Sequence, residues 1–197
     1  MAVDILRDEI VRQFGSFWNL NDDAHKAKHF EAVFQCGKVI NERLNLFYNE
    51  EMIMFAAYFH DMFAWSRELH HEHSYNWMME SDHPLVHKYL GGTERYLVAM
   101  ACRQHRASFK GEFKYEFCEL INSADRELPG SVSDMVDRAV NYRLKNNPEM
   151  NFDENMASSI AHIKEKFGTG GYARYPAMYT KCFASELATQ RLEIDNL

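Results

Sequence analysis

The stretch MIMFAAYFHD, residues 52–61, decides the fold: eight apolar residues in succession run straight into an adjacent histidine and aspartate. Strand-like alternation is absent. Asn49 is a good helix cap, and Glu50 and Glu51 sit where a first turn favours negative charge, so the segment predicts a helix. A helix that is apolar nearly all round is buried, which makes this one central to the fold. Eight residues also fall well short of the ~20 that a membrane-spanning helix needs.

The segments on either side are helical too. Val3, Leu6, Ile10, Phe14 and Phe17 step by three or four. A second helix is expected from Asp22 or Asp23, with Phe30, Val33, Phe34, Gly37, Ile40 and Leu44 inward and His25 and His29 sharing a face. Downstream, RELHHEHSYNWMMESDHP reads as a solvated loop holding His70, His71 and His73, then a helix that stops before Pro84. A short helix over 84–90 ends at Gly91-Gly92. Thr93 is expected to cap the next, with Tyr96, Leu97, Met100 and Ala101 inward, and another runs from about Phe113 to Leu128. Ser133 and Asp153 open two more, and Pro176 starts a last helix through Met178, Cys182, Phe183, Leu187 and Leu192. The expectation is an all-α, single-domain helical bundle over 1–197, with a core of about 18–130 and the helices of 131–197 packing on it.

Composition narrows the function classes. With 22 Lys+Arg against 29 Asp+Glu, the formal charge of −7 disfavours binding to duplex nucleic acid or an anionic membrane. The apolar share of 46% over 197 residues is enough for a sizeable core. The four cysteines are scattered without a CxxC, and MAVDILRDEIVRQF resembles neither a secretory signal nor an anchor, so a cytoplasmic protein with reduced thiols is expected. Ten histidines are unusual, and all but His162 lie between His25 and His105.

His29, the His60-Asp61 pair and Asp125 fall on three different expected helices. Burying an imidazole beside a carboxylate at the end of the most apolar helix is costly without a strong partner, and a cation supplies one. Two imidazoles and two carboxylates suit a divalent ion such as Mn, Co, Ni, Fe or Zn, with Mg also admitted.

The motifs KHFEAV, FHDMF and NSADREL, read in that order, resemble the HD superfamily of metal-dependent phosphohydrolases. The resemblance covers roughly residues 18–130. It is nearest to small HD phosphohydrolases with a histidine four residues before the first ligand, as His25 is, and an acidic-Ser segment after the HD pair, as Glu72-His73-Ser74 is. It implies a helical bundle with one or two metals that hydrolyses phosphate esters, most often of nucleotides. His29, His60, Asp61 and Asp125 take the ligand places. His105 matches a further ligand of many members, and His87, or His83, would complete a second-metal set. Where alarmone hydrolases carry an acidic residue after the pair, this chain reads Met62, Phe63, Ala64 and Trp65, which argues against that subgroup.

The substrate side needs cations and proton carriers. Arg103, Arg106 and Arg126 are candidate phosphate clamps, with His25 beside the metal. Asp61, His105 and Glu72 are the candidates for catalysis, and Asp82 is a further acid or base candidate. In KFGTGGYARYP, residues 166–176, Tyr172 and Arg174 are expected to grip phosphate or base, against the plainer reading of a helix C-cap. The expected partner is a small phosphorylated substrate, a nucleotide first, with a homo-oligomer left open. A dinuclear-iron HD-type oxygenase and a non-catalytic nucleotide-binding module are the competing readings.

Overall fold

The computed structural model describes residues 2–22 and 25–197. Among them are eleven α-helices, one short 3-10 helix and no strand, so the fold is all-α. The chain divides into two compact units: Met1–Leu128 with Pro176–Cys182, and Pro129–Tyr175 with Phe183–Leu197. No helix among the described residues is long and apolar enough to cross a membrane.

The first unit is built round α3, Glu50–Phe59, whose residues Met52 to Phe59 are all buried. The Asn49 side chain caps it by accepting from the Met52 amide, as expected. Helices α1 (Ala2–Phe14), α2 (Ala27–Leu44), α6 (Gly92–Gln104) and α7 (Glu116–Ala124) pack against it. Helix α4 (His70–Glu80) lies along α6, α5 (Pro84–Tyr89) links them, and α10 (Ala177–Cys182) packs on α2 and α7. Trp18 is buried, with its ring against Phe30 and Tyr58, so it belongs to the core.

Gly37 sets the spacing of this core. A Cβ there would stand 2.7 Å from Ile53 Cγ2 and 3.6 Å from Ala124 Cβ, so α2, α3 and α7 approach closely only because α2 has no side chain at that point. Those three helices carry or immediately precede His29, His60-Asp61 and Asp125.

In the second unit, α8 (Val132–Asn146), α9 (Phe152–Phe167) and α11 (Ala184–Asp195) close on Val132, Val136, Val140, Ile163 and Ile194.

Several helix starts differ from the sequence reading. Helix α2 begins after extended Lys26, because Asp22 binds the His25 ring instead of capping; Asp23 lies outside the described residues. Gly91, Ser131 and Asn151 cap α6, α8 and α9 in place of Thr93, Ser133 and Asp153. Glu94 and Glu154 side chains return to the Gly91 and Asn151 amides, which moves each start two residues earlier. The expected last helix breaks at Phe183, giving α10 and α11, and Leu192 is exposed while Ile194 is buried.

Candidate metal centre

The sequence places histidine and aspartate where apolar helices end, and the fold turns those ends inward. His60 caps α3 and Asp61 follows it; both are buried. Asp125 caps α7, and His29 lies in the first turn of α2. One donor atom from each of His29, His60, Asp61 and Asp125 falls within 4.8 Å of all the others. The four expected ligands therefore come together. A second group of the same kind is Asp61, His70 and His105, so Asp61 is common to both.

Hydrogen bonds on the far side of each ring fix which nitrogen faces inward. His60 Nδ1 is 2.8 Å from the Ala57 carbonyl, His105 Nδ1 is 2.6 Å from that of Cys102, and His70 Nδ1 is 2.9 Å from that of Arg67. A carbonyl can only accept, so each Nδ1 carries the proton and, in the neutral ring, Nε2 presents a lone pair. His29 Nδ1 stands 2.9 Å from Glu127 Oε1, an equivalent arrangement with a carboxylate as acceptor.

The inward atoms crowd together, with Asp125 Oδ1 3.3 Å from His29 Nε2 and 3.4 Å from His60 Nε2. His29 Nε2 and His60 Nε2 are 3.3 Å apart, and His70 Nε2 and His105 Nε2 are 3.2 Å apart. Asp61 Oδ1 lies 3.2 Å from His70 Nε2 and 3.1 Å from His105 Nε2, yet it is buried without a hydrogen bond among the described residues. Ring nitrogens crowded against one another and an orphaned carboxylate oxygen are costly on their own, and a cation between them would remove the cost. Four imidazoles and two carboxylates form a mixed nitrogen and oxygen set that fits divalent transition metals.

The same demand for positive charge shows in the titration of the bare groups. Burial disfavours a charged His60, but the carboxylates of Asp61 and Asp125 outweigh it and carry its pKa up to about 10. Burial opposes ionisation of Asp125 as well, and the His29 and His60 rings overcome it, holding its carboxyl well below the usual range. His70 goes the other way: burial wins, and its pKa drops to about 4.

Buried amides and hydroxyls hold the ligand-bearing turns. Asn21 Nδ2 donates to the Asp61 carbonyl at 3.0 Å, and Asn21 Oδ1 accepts from the Trp65 amide at 3.1 Å. Ser74 Oγ donates to the His60 carbonyl at 2.9 Å. Asn122 Nδ2 donates to the carbonyls of Gln104 and His105, each at 2.8 Å, and so fixes the end of α6. Glu127 adopts a left-handed backbone, φ 59°, which turns the chain after Asp125 back toward His29; the Tyr179 hydroxyl donates to its carbonyl at 2.9 Å.

The remaining expected residues divide. His25 stands beside the group, its Nε2 3.7 Å from Asp61 Oδ2 and its Nδ1 2.6 Å from Asp22 Oδ1. Glu72 pairs with Arg103 Nε at 2.8 Å, and both line a cavity with Arg106. Arg126 braces Asn122, its Nη2 donating to Asn122 Oδ1 at 3.3 Å.

His87 is not in the second group. It sits on α5 with its side chain 53% exposed, 4.0 Å from the fully exposed Asp82, and His70 joins Asp61 and His105 instead. His83 caps α5, its Nδ1 accepting from the Leu85 amide. The stretch read as a loop at His70, His71 and His73 is the start of α4, and that helical turn is what aims His70 inward.

Tyr172 and Arg174 belong to the second unit. There the Tyr172 and Ala173 amides donate to the carbonyls of Glu165 and Lys166 at the end of α9, and Arg174 Nη1 donates to the Gly171 and Ala173 carbonyls. The glycine segment is a helix C-cap, the amides of Gly168, Gly171, Tyr172 and Ala173 spent on carbonyls and that of Thr169 on the Asp195 carboxylate.

No family model matches the chain, and no curated protein or solved structure matches it. Its own geometry carries the functional reading.

Proposed function

We propose that the chain is a metal-dependent phosphohydrolase of the HD type, acting on a small phosphorylated metabolite, with nucleotides as the leading class. The carrying observation is the orphaned Asp61 Oδ1 between His70 and His105, facing the pair His29 and His60 across a shared carboxylate. His29, His60, Asp61 and Asp125 would hold one ion, and Asp61, His70 and His105 a second. A divalent cation held there would supply acidification of a water molecule and screening of charge on a phosphoryl oxygen.

The protein's own groups do the rest. Backbone carbonyls and Glu127 keep the four imidazoles oriented, and Asn21, Ser74 and Asn122 keep the turns from relaxing. Arg103 and Arg106 stand beside the second group to receive anionic oxygens. In hydrolysis the water oxygen bonds to phosphorus, the ester P–O bond breaks, and a proton from that water ends on the leaving oxygen. The four cysteines are buried and form no disulfide among the described residues, which suits a reducing compartment such as the cytoplasm.

The test is phosphate release from a panel of nucleotides and sugar phosphates with Mn, Co, Ni, Fe, Zn and Mg. Release with at least one metal, lost in Asp61→Ala, is expected; no release with any metal overturns the reading. The six-donor set that shares Asp61 also favours a second reading, a dinuclear-iron oxygenase. Two irons per chain with consumption of oxygen, and no phosphate release, would select it.

A further inference from the structure

Beside the second donor group lies a cavity of about 530 Å³. Its wall includes His71, Gln104 and Arg106, the chain neighbours of the ligand residues His70 and His105. Three cations line it, Arg103, Arg106 and Lys110, against one carboxylate, Glu72. In a chain of net charge −7 this is a local reversal of sign, next in the chain to two donors of the second group.

The cations are arranged for a ligand. Arg103 is held through Nε by Glu72 at 2.8 Å and rests over the Tyr75 ring, 5.1 Å from its centroid, which leaves its terminal nitrogens to the cavity. Arg106 is held through Nη1 by the Glu68 carbonyl at 3.1 Å. Lys110 makes no ion pair among the described residues. Guanidiniums fixed at one nitrogen lose little freedom when the others bind, so they are preorganised for phosphate.

The loop bearing Lys110, residues 105–115, is also held. Gln104 reaches across it, its Oε1 accepting from the Lys114 amide at 3.0 Å. Phe109 forms an apolar wall, and its ring lies so near Gly111 that a Cβ there would meet it at 2.9 Å. One aromatic face among three cations is suited to a base or sugar next to phosphates.

Volume and charge together narrow the ligand class, since three cations exceed what a base or sugar alone would call for. Orthophosphate alone would fill only a small part of a cavity that lies within the ~300–1,000 Å³ of ordinary ligand sites. We infer that the cavity seats the second phosphate of a substrate with two or more, so that the substrate class is a nucleoside di- or triphosphate and not a monophosphate. The inference rests on the hydrolase reading of the adjoining centre.

Calorimetry on the full-length, metal-stripped protein tests the cavity without turnover, with tripolyphosphate and inorganic phosphate as probes. Tripolyphosphate should bind at least about tenfold tighter, and Arg106→Ala and Lys110→Ala should each weaken it about five- to tenfold, as loss of a charge-assisted contact does. Lys145→Ala, on α8, should leave it unchanged. Equal affinity for the two probes, or equal losses in Lys145→Ala and Lys110→Ala, overturns the inference.

Turnover separates the two proposals. With metal restored, the ratio of kcat/KM for a nucleoside triphosphate over its monophosphate should exceed about tenfold and fall in Lys110→Ala by the same factor as binding. Metal-dependent release that favours the monophosphate overturns the substrate class while the hydrolase reading stands. Tripolyphosphate binding without any metal-dependent release overturns the hydrolase reading and, with it, the assignment of that phosphate to a substrate.

Discussion

The two donor groups share Asp61 but are built differently. His29, His60 and Asp125 come from α2, α3 and α7, helices locked at the Gly37 crossing, and both imidazoles touch the Asp125 carboxylate. His70 and His105 come from the start of α4 and the end of α6, and backbone carbonyls orient both. The first group concentrates negative charge and raises the His60 pKa to about 10, whereas the second leaves His70 at about 4. One carboxylate thus serves a charge-rich site on a rigid frame and an imidazole-rich site at the edge of a cationic cavity. The contrast predicts that the two positions differ in affinity and in what binding displaces.

Asp61→Ala carries the largest effect, since it removes a donor from both groups. Bound metal should fall from about two per chain to near none, and phosphate release by on the order of 1,000-fold or more. A variant that keeps its full metal content would show that the oxygen is not shared. His70→Ala should divide the groups: metal content falls to about one per chain, with the tighter ion retained. Loss of both ions in that variant would mean the groups are not separable.

Glu127→Gln removes the carboxylate behind His29 and keeps its shape, so the tighter ion should weaken about 10- to 100-fold while the other is unchanged. Titration with Co²⁺, followed by its visible absorbance, reads this without turnover. Gly37→Ala forces α2 off α3 and α7, at a cost of about 1–3 kcal/mol in chemical denaturation and a weaker first ion. The smallest effect is a proton count. With its pKa near 10, His60 is protonated at pH 7 in the metal-free protein, and its Nε2 must release that proton to bind an ion. His70, with its pKa near 4, is already neutral there and releases none. Calorimetry in buffers of different ionisation enthalpy should find more protons released for the first ion, where the His29 pKa is raised as well, than for the second.

The first group could be read from the sequence because each member stands next to a strong apolar pattern: His60-Asp61 after the eight-residue run, Asp125 at the close of α7, His29 on the inward face of α2. His70 could not. Helix α4 buries only Ser74 and Met78, so its polar sequence carries little helical signal, and three histidines among four residues, 70–73, look alike. His87 misled because it lies in a short helix before Gly91-Gly92, and that helix, α5, leaves its side chain half exposed, while His83 is spent on the cap. Glu127 had no sequence signal at all, since only the left-handed turn after Asp125 returns it to a residue 98 positions earlier. The glycine segment at 168–171 suggested an anion loop because glycine permits both that and a C-cap, and the carbonyls ending α9 decided for the latter.

The hydroxyl of Tyr179 reaches the Glu127 carbonyl across 52 residues of chain, and between them lies most of a separate compact unit. On the ribosome, at about 5–20 residues per second, the turn behind His29 is therefore made roughly 3–10 s before the group that pins it. During that interval the newly made first 128 residues hold every candidate donor but not the strap that steadies one of them, so the group is complete in composition before it is complete in geometry.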